Sequence, residues 1–176
     1  MRLMVAAERV AYVERLRSGR TAFLDALAGL SPSQATFRTA PEAWSILDIA
    51  EHIAITEHGM YQFITKYFEP LETPVFGREQ EILTHGIPPR PLAAPERAQP
   101  KGRYGSIDEA AGQFAANRDR TIRFVEGCEE DLRARAANHP LGRMTCQECL
   151  AIMIDHPLRH AEQIRKIRAS PGFPAL

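Results

Sequence analysis

Apolar positions recur along this chain at steps of three and four, and no segment alternates convincingly at steps of two. Residues three and four apart share one face of an α-helix, whereas a half-buried strand alternates every second residue. The pattern therefore predicts helices and no strands. The first helical segment covers about 3–30, with Ala6, Val10, Val13, Leu16, Phe23, Leu27 and Leu30 on one stripe. Gly29 and the Ser31-Pro32-Ser33 cluster end it. A turn-rich stretch leads to Trp44. Ser45 then opens the second segment with Asp48 three residues on, the spacing of a capping box, in which each side chain satisfies the other residue's backbone N–H. Ile46, Ile49, Ala50, Ile53, Met60, Tyr61 and Ile64 form its stripe, which fades near Phe68 to Pro70.

The third segment opens at Ser106 with Glu109 as box partner. It carries Ile107, Ala111, Phe114, Arg118, Thr121, Ile122 and Val125, and stops at Gly127. A loop through Asn138-His139-Pro140-Leu141-Gly142 is expected next. Thr145 and Glu148 form a third capping box, and the last helix runs to about Ala169. Pro157 inside it lacks an N–H and crowds the carbonyl four residues back, that of Met153, so a kink is expected there. Between the second and third segments, Pro70, Pro74, Pro88, Pro89, Pro91, Pro95 and Pro100 exclude a long regular element. That stretch, 70–105, reads first as a surface crossover and second as a lid over the bundle. Four helices with one apolar face each can bury those faces only against one another. The expected fold is an all-α four-helix bundle, one domain over residues 1–176.

Charge narrows the function. Lys+Arg and Asp+Glu number 22 each, so the chain has no electrostatic footprint for nucleic acid or an acidic membrane. No apolar run is long enough to span a bilayer, and the N-terminal segment is charged by its eighth residue, unlike a signal peptide. Three cysteines, Cys128, Cys146 and Cys149, do not make a disulfide framework, and a cytoplasmic location is expected. Cys146-x-x-Cys149 has the spacing of a redox or zinc pair, but both fall on the apolar face, and core packing is the preferred reading.

The histidines carry the candidate chemistry. His156 and His160, four apart, share a helix face about one turn apart, roughly 6 Å along the axis. His52 falls on the flank of the second helix's stripe, suitable for a groove between helices. Three neutral imidazoles with open positions suit Zn²⁺, Ni²⁺, Fe²⁺ or Mn²⁺. Glu51, Asp155 and Glu162 are nearby carboxylates, none singled out as a further ligand. His58 points to the other flank, and His85 and His139 are expected in solvated loops. Trp44 is expected as a staple or interhelix plug, Gln163 as a hydrogen-bond partner of a ligand imidazole, and Arg159 as a solvated residue or a greeter of anionic substrate.

These residues resemble a known family. Trp44-Ser45-Ile46-Leu47-Asp48 with Glu51-His52-Ile53 is similar to the W-S-x-x-[DE]…H-[LI] signature of DinB-like (YfiT-like) metal-binding bundles. Pro140-Leu141-Gly142, Thr145, Glu148, His156, Arg159-His160 and Gln163-Ile164 resemble that family's closing motif. The resemblance implies an up-down-down-up bundle and His52, His156 and His160 as ligands of one metal ion, nickel or zinc first. It also implies a homodimer and chemistry on a low-molecular-weight thiol, as a thiol S-transferase or thiol-dependent isomerase. Metal-assisted hydrolysis is the second choice of reaction. The alternative is a non-catalytic, metal-stabilised binding or dimerisation module.

Overall fold

The structure, a computed structural model, describes residues 4–73, 77–85, 94–139 and 142–175. Pro74, Pro88, Pro89 and Pro91 of the crossover and Pro140-Leu141 of the closing motif lie outside them. The described residues form helices α1 (Ala6–Leu27), α2 (Pro32–Thr36), α3 (Ile46–Lys66), α4 (Glu79–His85), α5 (Ile107–Gly127) and α6 (Cys146–Arg168). None is long and apolar enough to cross a membrane. The long ones start where side chains satisfy the orphan N–H groups of the first turn. Ser45–Asp48 and Thr145–Glu148 are complete capping boxes. Ser106 caps α5, but Glu109 takes the N–H of Gly105 instead of closing the box.

Side-chain pairings fix the helix directions. Between α3 and α5 the partners advance together, Ala54 with Asn117, Glu57 with Arg118, Tyr61 with Phe124, so these helices are parallel. Between α1 and α6, Glu8 meets Gln147, Gly19 meets Ile154, and Ala26 meets Arg168, again parallel. Arg9 meets Cys128 and Phe23 meets Phe114, so α1 and α5 are antiparallel. His52 meets His156 and Ile64 meets Cys146, so α3 and α6 are antiparallel too. The order is up-down-down-up. Parallel α3 and α5 cannot be joined by a tight turn. The chain must return the length of a 21-residue helix, about 30 Å at 1.5 Å per residue, and the proline-rich crossover spans that return.

Three features depart from the pattern-based expectation. Strands exist: β1 (Glu69–Pro70), β2 (Arg135–His139) and β3 (Gly142–Thr145) form an antiparallel sheet in the order β1-β2-β3. They escaped the period-two test because they are short and because the adjacent residues Ala136 and Ala137 of β2 are both buried. Thr145 ends β3 and caps α6, so the hairpin feeds the last helix directly. Second, Ser31-Pro32-Ser33 is a start as well as a stop: Ser31 and Gln34 form a capping box with Pro32 at the first position of α2. Third, His139 is not a solvated loop residue. It ends β2, half-buried, with its ring 5.7 Å from that of Phe63. His85 is the exposed last residue of α4.

The core has two apolar layers. One gathers Leu16, Ile64, Leu132, Cys149, Leu150 and Met153, the other Phe23, Ile49, Ile53, Phe114, Ala161 and Ile164. Between them lies Arg118, with 0% exposure. Its guanidinium makes a bidentate pair with Glu57 (2.9 and 2.8 Å) and donates to the carbonyls of Met153 (2.7 Å) and Leu16 (3.3 Å). One side chain of α5 thus touches α3, α6 and α1. The Met153 carbonyl is the one that Pro157 cannot serve, and α6 continues from Cys146 to Arg168 across the proline. Arg118→Leu should therefore cost about 3–5 kcal/mol, because it leaves the Glu57 charge buried without its partner. Urea unfolding of the variant checks this, and a loss below about 1 kcal/mol would contradict the assignment.

Candidate metal centre

Antiparallel packing sets the first half of α3 against the second half of α6. His52 from α3 and His156 and His160 from α6 converge there. The Nε2 atoms of His52 and His156 are 3.2 Å apart, those of His156 and His160 3.1 Å, and one ring nitrogen from each lies within 4.8 Å of the others. This cluster has the ligand geometry of a metal site, and among the described residues it includes no carboxylate. Glu51 is turned to the crossover, and exposed Glu162 pairs with Arg165.

The other ring nitrogens decide which atom each imidazole offers. His52 Nδ1 lies 2.7 Å from the Ala98 carbonyl, which only accepts, so Nδ1 carries the proton. His160 Nδ1 donates to Gln163 Oε1 at 2.8 Å. His156 Nδ1 faces Thr56 Oγ1 at 3.5 Å, and that hydroxyl gives its own proton to the His52 carbonyl at 2.7 Å. His52 and His160 therefore present a bare Nε2 to His156, whose Nδ1 lies too far from Thr56 to fix its own proton on that nitrogen. With its proton on Nε2, His156 bridges to one neighbour; with the proton on Nδ1, three bare Nε2 atoms face one another. The surroundings oppose a second proton on any of the rings. Burial pushes the pKa of all three rings down, His156 well down; the Ala98 carbonyl partly offsets this at His52, neighbouring histidines add to it at His156 and His160, and Arg159 adds to it at each ring. His160 is pushed down to about 3. Neutral imidazoles with oriented Nδ1–H groups are the form that ligates metal. The residues fit a divalent cation.

Around this cluster, the Trp44 ring lies 4.9 Å from that of His52, packed against it. Arg159 is exposed, with no hydrogen bond or ion pair among the described residues, yet its charge reaches all three histidines. His58 is engaged elsewhere, with Gln62 and Arg120. Cys146 and Cys149 are fully buried in the core. Burial pushes both thiols up, Cys149 to about 12. A cavity of about 450 Å³ bounded by Arg17, Arg20, Asp119 and Arg123 lies between α1 and α5, across the bundle from the histidines. Sequence reasoning passed over Thr56 and Ala98. Thr56 follows His52 by one turn and so shares its face, a readable signal. Ala98 acts through its backbone carbonyl and carries none.

A family model described as the DinB superfamily matches residues 15–164. Among solved structures the chain is similar to YfiT from Bacillus subtilis, described as a probable metal-dependent hydrolase with an unusual four-helix bundle topology. The TM-score is 0.63 at 11% identity, covering 97% of this chain and 91% of that one, a likeness of fold. No curated protein matches the chain.

The depressed histidine pKa values set a pH dependence for the metal-free protein. The unfolded chain protonates its histidines near pH 6.5, whereas the native rings stay neutral to lower pH, so below about 6.5 the unfolded state binds more protons. Stability should be full above that pH and fall as pH drops toward 3, by up to about 1.4 kcal/mol per pH unit for each ring. Urea midpoints measured from pH 7 to 5 check this, and a flat profile would contradict it. In the same native protein, Cys146 and Cys149 should resist a disulfide reagent at pH 8 and react on unfolding.

Proposed function

We propose, on the premise that the chain belongs to the DinB superfamily, that it is a metal-dependent enzyme acting on a small molecule through His52, His156 and His160. The convergence of three imidazole Nε2 atoms, two from buried rings and one from a half-buried ring, carries this reading. Nickel or zinc suits three imidazoles best, with Fe²⁺ or Mn²⁺ following. When bound, such an ion supplies Lewis acidity, lowering the pKa of a thiol or of water beside it.

The chain's own residues do the rest. Ala98 and Gln163 hold the His52 and His160 rings in one tautomer, and Thr56 faces Nδ1 of His156. Trp44 covers one side of His52. Arg159 presents an uncommitted guanidinium that attracts an anionic group on the incoming molecule. The family resemblance supports transfer of a low-molecular-weight thiol as the reaction. The description of YfiT supports metal-assisted hydrolysis as the second reading.

Protein purified without a histidine tag should contain about one divalent ion per chain by elemental analysis, and His156→Ala or His160→Ala should lose it. Full retention in both variants would end the assignment. In thermal-shift series, a thiol should stabilise the protein only when metal is present. Stabilisation by metal with no thiol response would favour a non-catalytic module. Arg159→Ala should leave the metal content unchanged and weaken a carboxylate-bearing thiol about tenfold relative to 2-mercaptoethanol, the expected loss of one charge-assisted hydrogen bond. Equal weakening of both thiols would remove Arg159 from anion recognition.

A further inference from the structure

We infer that Glu51 is a positioning residue for the metal centre, fastening crossover residues 94–105 so that the Ala98 carbonyl holds the His52 ring, and thereby coupling the docking of that segment to metal binding. The inference rests on the metal reading of the three histidines.

Glu51 is 1% exposed. A buried carboxylate is costly unless its lone pairs are filled. Here they are filled by the crossover: Lys101 N–H at 2.7 Å, Arg103 N–H at 2.9 Å and Arg103 Nη1 at 2.8 Å. Gly102, between the two donating amides, has φ of 72°. A left-handed residue between such amides lets both N–H groups converge on one anion, a backbone nest. The occupant of this nest is the residue immediately before His52.

The segment is braced internally. Ala98 N–H bonds to the Pro95 carbonyl, Gln99 Nε2 to the Ala94 carbonyl, and Arg103 Nη1 to the Gln99 carbonyl. A clamp at residues 101 and 103 therefore places Ala98, whose carbonyl accepts from His52 Nδ1 at 2.7 Å. His160 finds its orienting partner, Gln163, on its own helix, so that pair forms whenever α6 forms. His52 finds its partner only when a segment 46 residues away has docked. The third ligand's tautomer and direction thus depend on the crossover. Linkage makes the dependence mutual: if docking raises metal affinity by some factor, metal raises docking by the same factor.

The test uses the full-length protein with Zn²⁺. Affinity is read by competition with a chromophoric chelator, and docking by amide hydrogen exchange at residues 98–103. Two variants weaken the clamp without touching a ligand: Glu51→Gln, which loses the charge and one acceptor oxygen, and Gly102→Ala. An added Cβ at Gly102 has nothing within 4 Å to meet, so only the backbone conformation is strained. The second variant therefore carries the test if Glu51→Gln fails to fold. Expected are faster exchange at 101 and 103 in both variants, Zn²⁺ affinity lower by about tenfold in Glu51→Gln and roughly fivefold in Gly102→Ala, and slower wild-type exchange at 98–103 on adding Zn²⁺. Faster exchange with wild-type Zn²⁺ affinity overturns the coupling and leaves the metal reading intact. So does wild-type exchange indifferent to bound Zn²⁺, and unchanged exchange in both variants shows that Glu51 does not fasten the segment. A wild-type protein that binds no Zn²⁺ overturns the metal reading and this inference together.

Discussion

The four long helices are referred to one buried guanidinium. Arg118 sits between two apolar layers that would otherwise merge into a greasy interior with little to set how far one helix slides along another. Its bonds to Glu57, Met153 and Leu16 tie α5 to α3, α6 and α1 at one level of the bundle. Thr121 adds a hydrogen bond to Glu57 at 2.8 Å and completes the carboxylate. A buried ion pair is weak evidence for net stability, since desolvation offsets most of the Coulomb gain. Its value here is register. Glu57 lies five residues beyond His52, and Met153 three before His156. Fixing both to the same guanidinium fixes how α3 and α6 face each other, and hence whether the histidines meet. A slip of one turn moves a ligand about 5.4 Å, well beyond the roughly 2.0–2.1 Å of a zinc–imidazole bond.

Pro157 belongs to the same arrangement. Within a single helix it is a fault, since it strips the Met153 carbonyl of its donor. Within the bundle that carbonyl becomes an acceptor for a group on another helix. Gly19 adds to this from α1: a Cβ there would come within 3.4 Å of the Ile154 carbonyl and 3.8 Å of both Arg118 Nη1 and Pro157 Cγ. These are ordinary contact distances, so α1 packs closely on α6 here and a methyl group would just fill the space. A proline inside a helix and a buried arginine each break a local rule, and they break it together, next to the candidate site, where such conflicts are expected to collect.

What could be read in the chain follows from this division between local and distant causes. The four long helices were legible because their stripes and the serine and threonine at their starts are local chemistry. Arg118 was legible as a stripe position from its spacing, but its meaning was not, because Glu57 and the Met153 carbonyl become its neighbours only in the bundle. The short strands were illegible since strand pairing is a property of two segments, and Ala136 and Ala137 carry no alternation. In the site, the four-residue spacing of His156 and His160 is local, whereas the approach of His52 needs the antiparallel packing that only the family resemblance supplied in advance. The contact of Ala98 with His52 was beyond reach, since any residue has a carbonyl and only the path of the crossover aims this one.

The three candidate ligands are therefore unequal in kind. The geometry between His156 and His160 is a property of α6 alone. His52 joins them only through the register set by Arg118 and the carbonyl supplied by the crossover. Folding without metal brings three imidazole nitrogens together in a site that resists a positive charge on any ring. The bundle can hold it because the hydrophobic layers and the Arg118 network lie elsewhere and do not depend on it. A cation held there would meet three ring nitrogens, with little reorganisation at His52 and His160, whose Nδ1–H groups are already oriented. Binding energy then acts on the joint between α3 and α6, since the two ligands on α6 need no help to stay together. Metal affinity at such a site would therefore measure tertiary structure and respond to changes in the core and the crossover that touch no histidine.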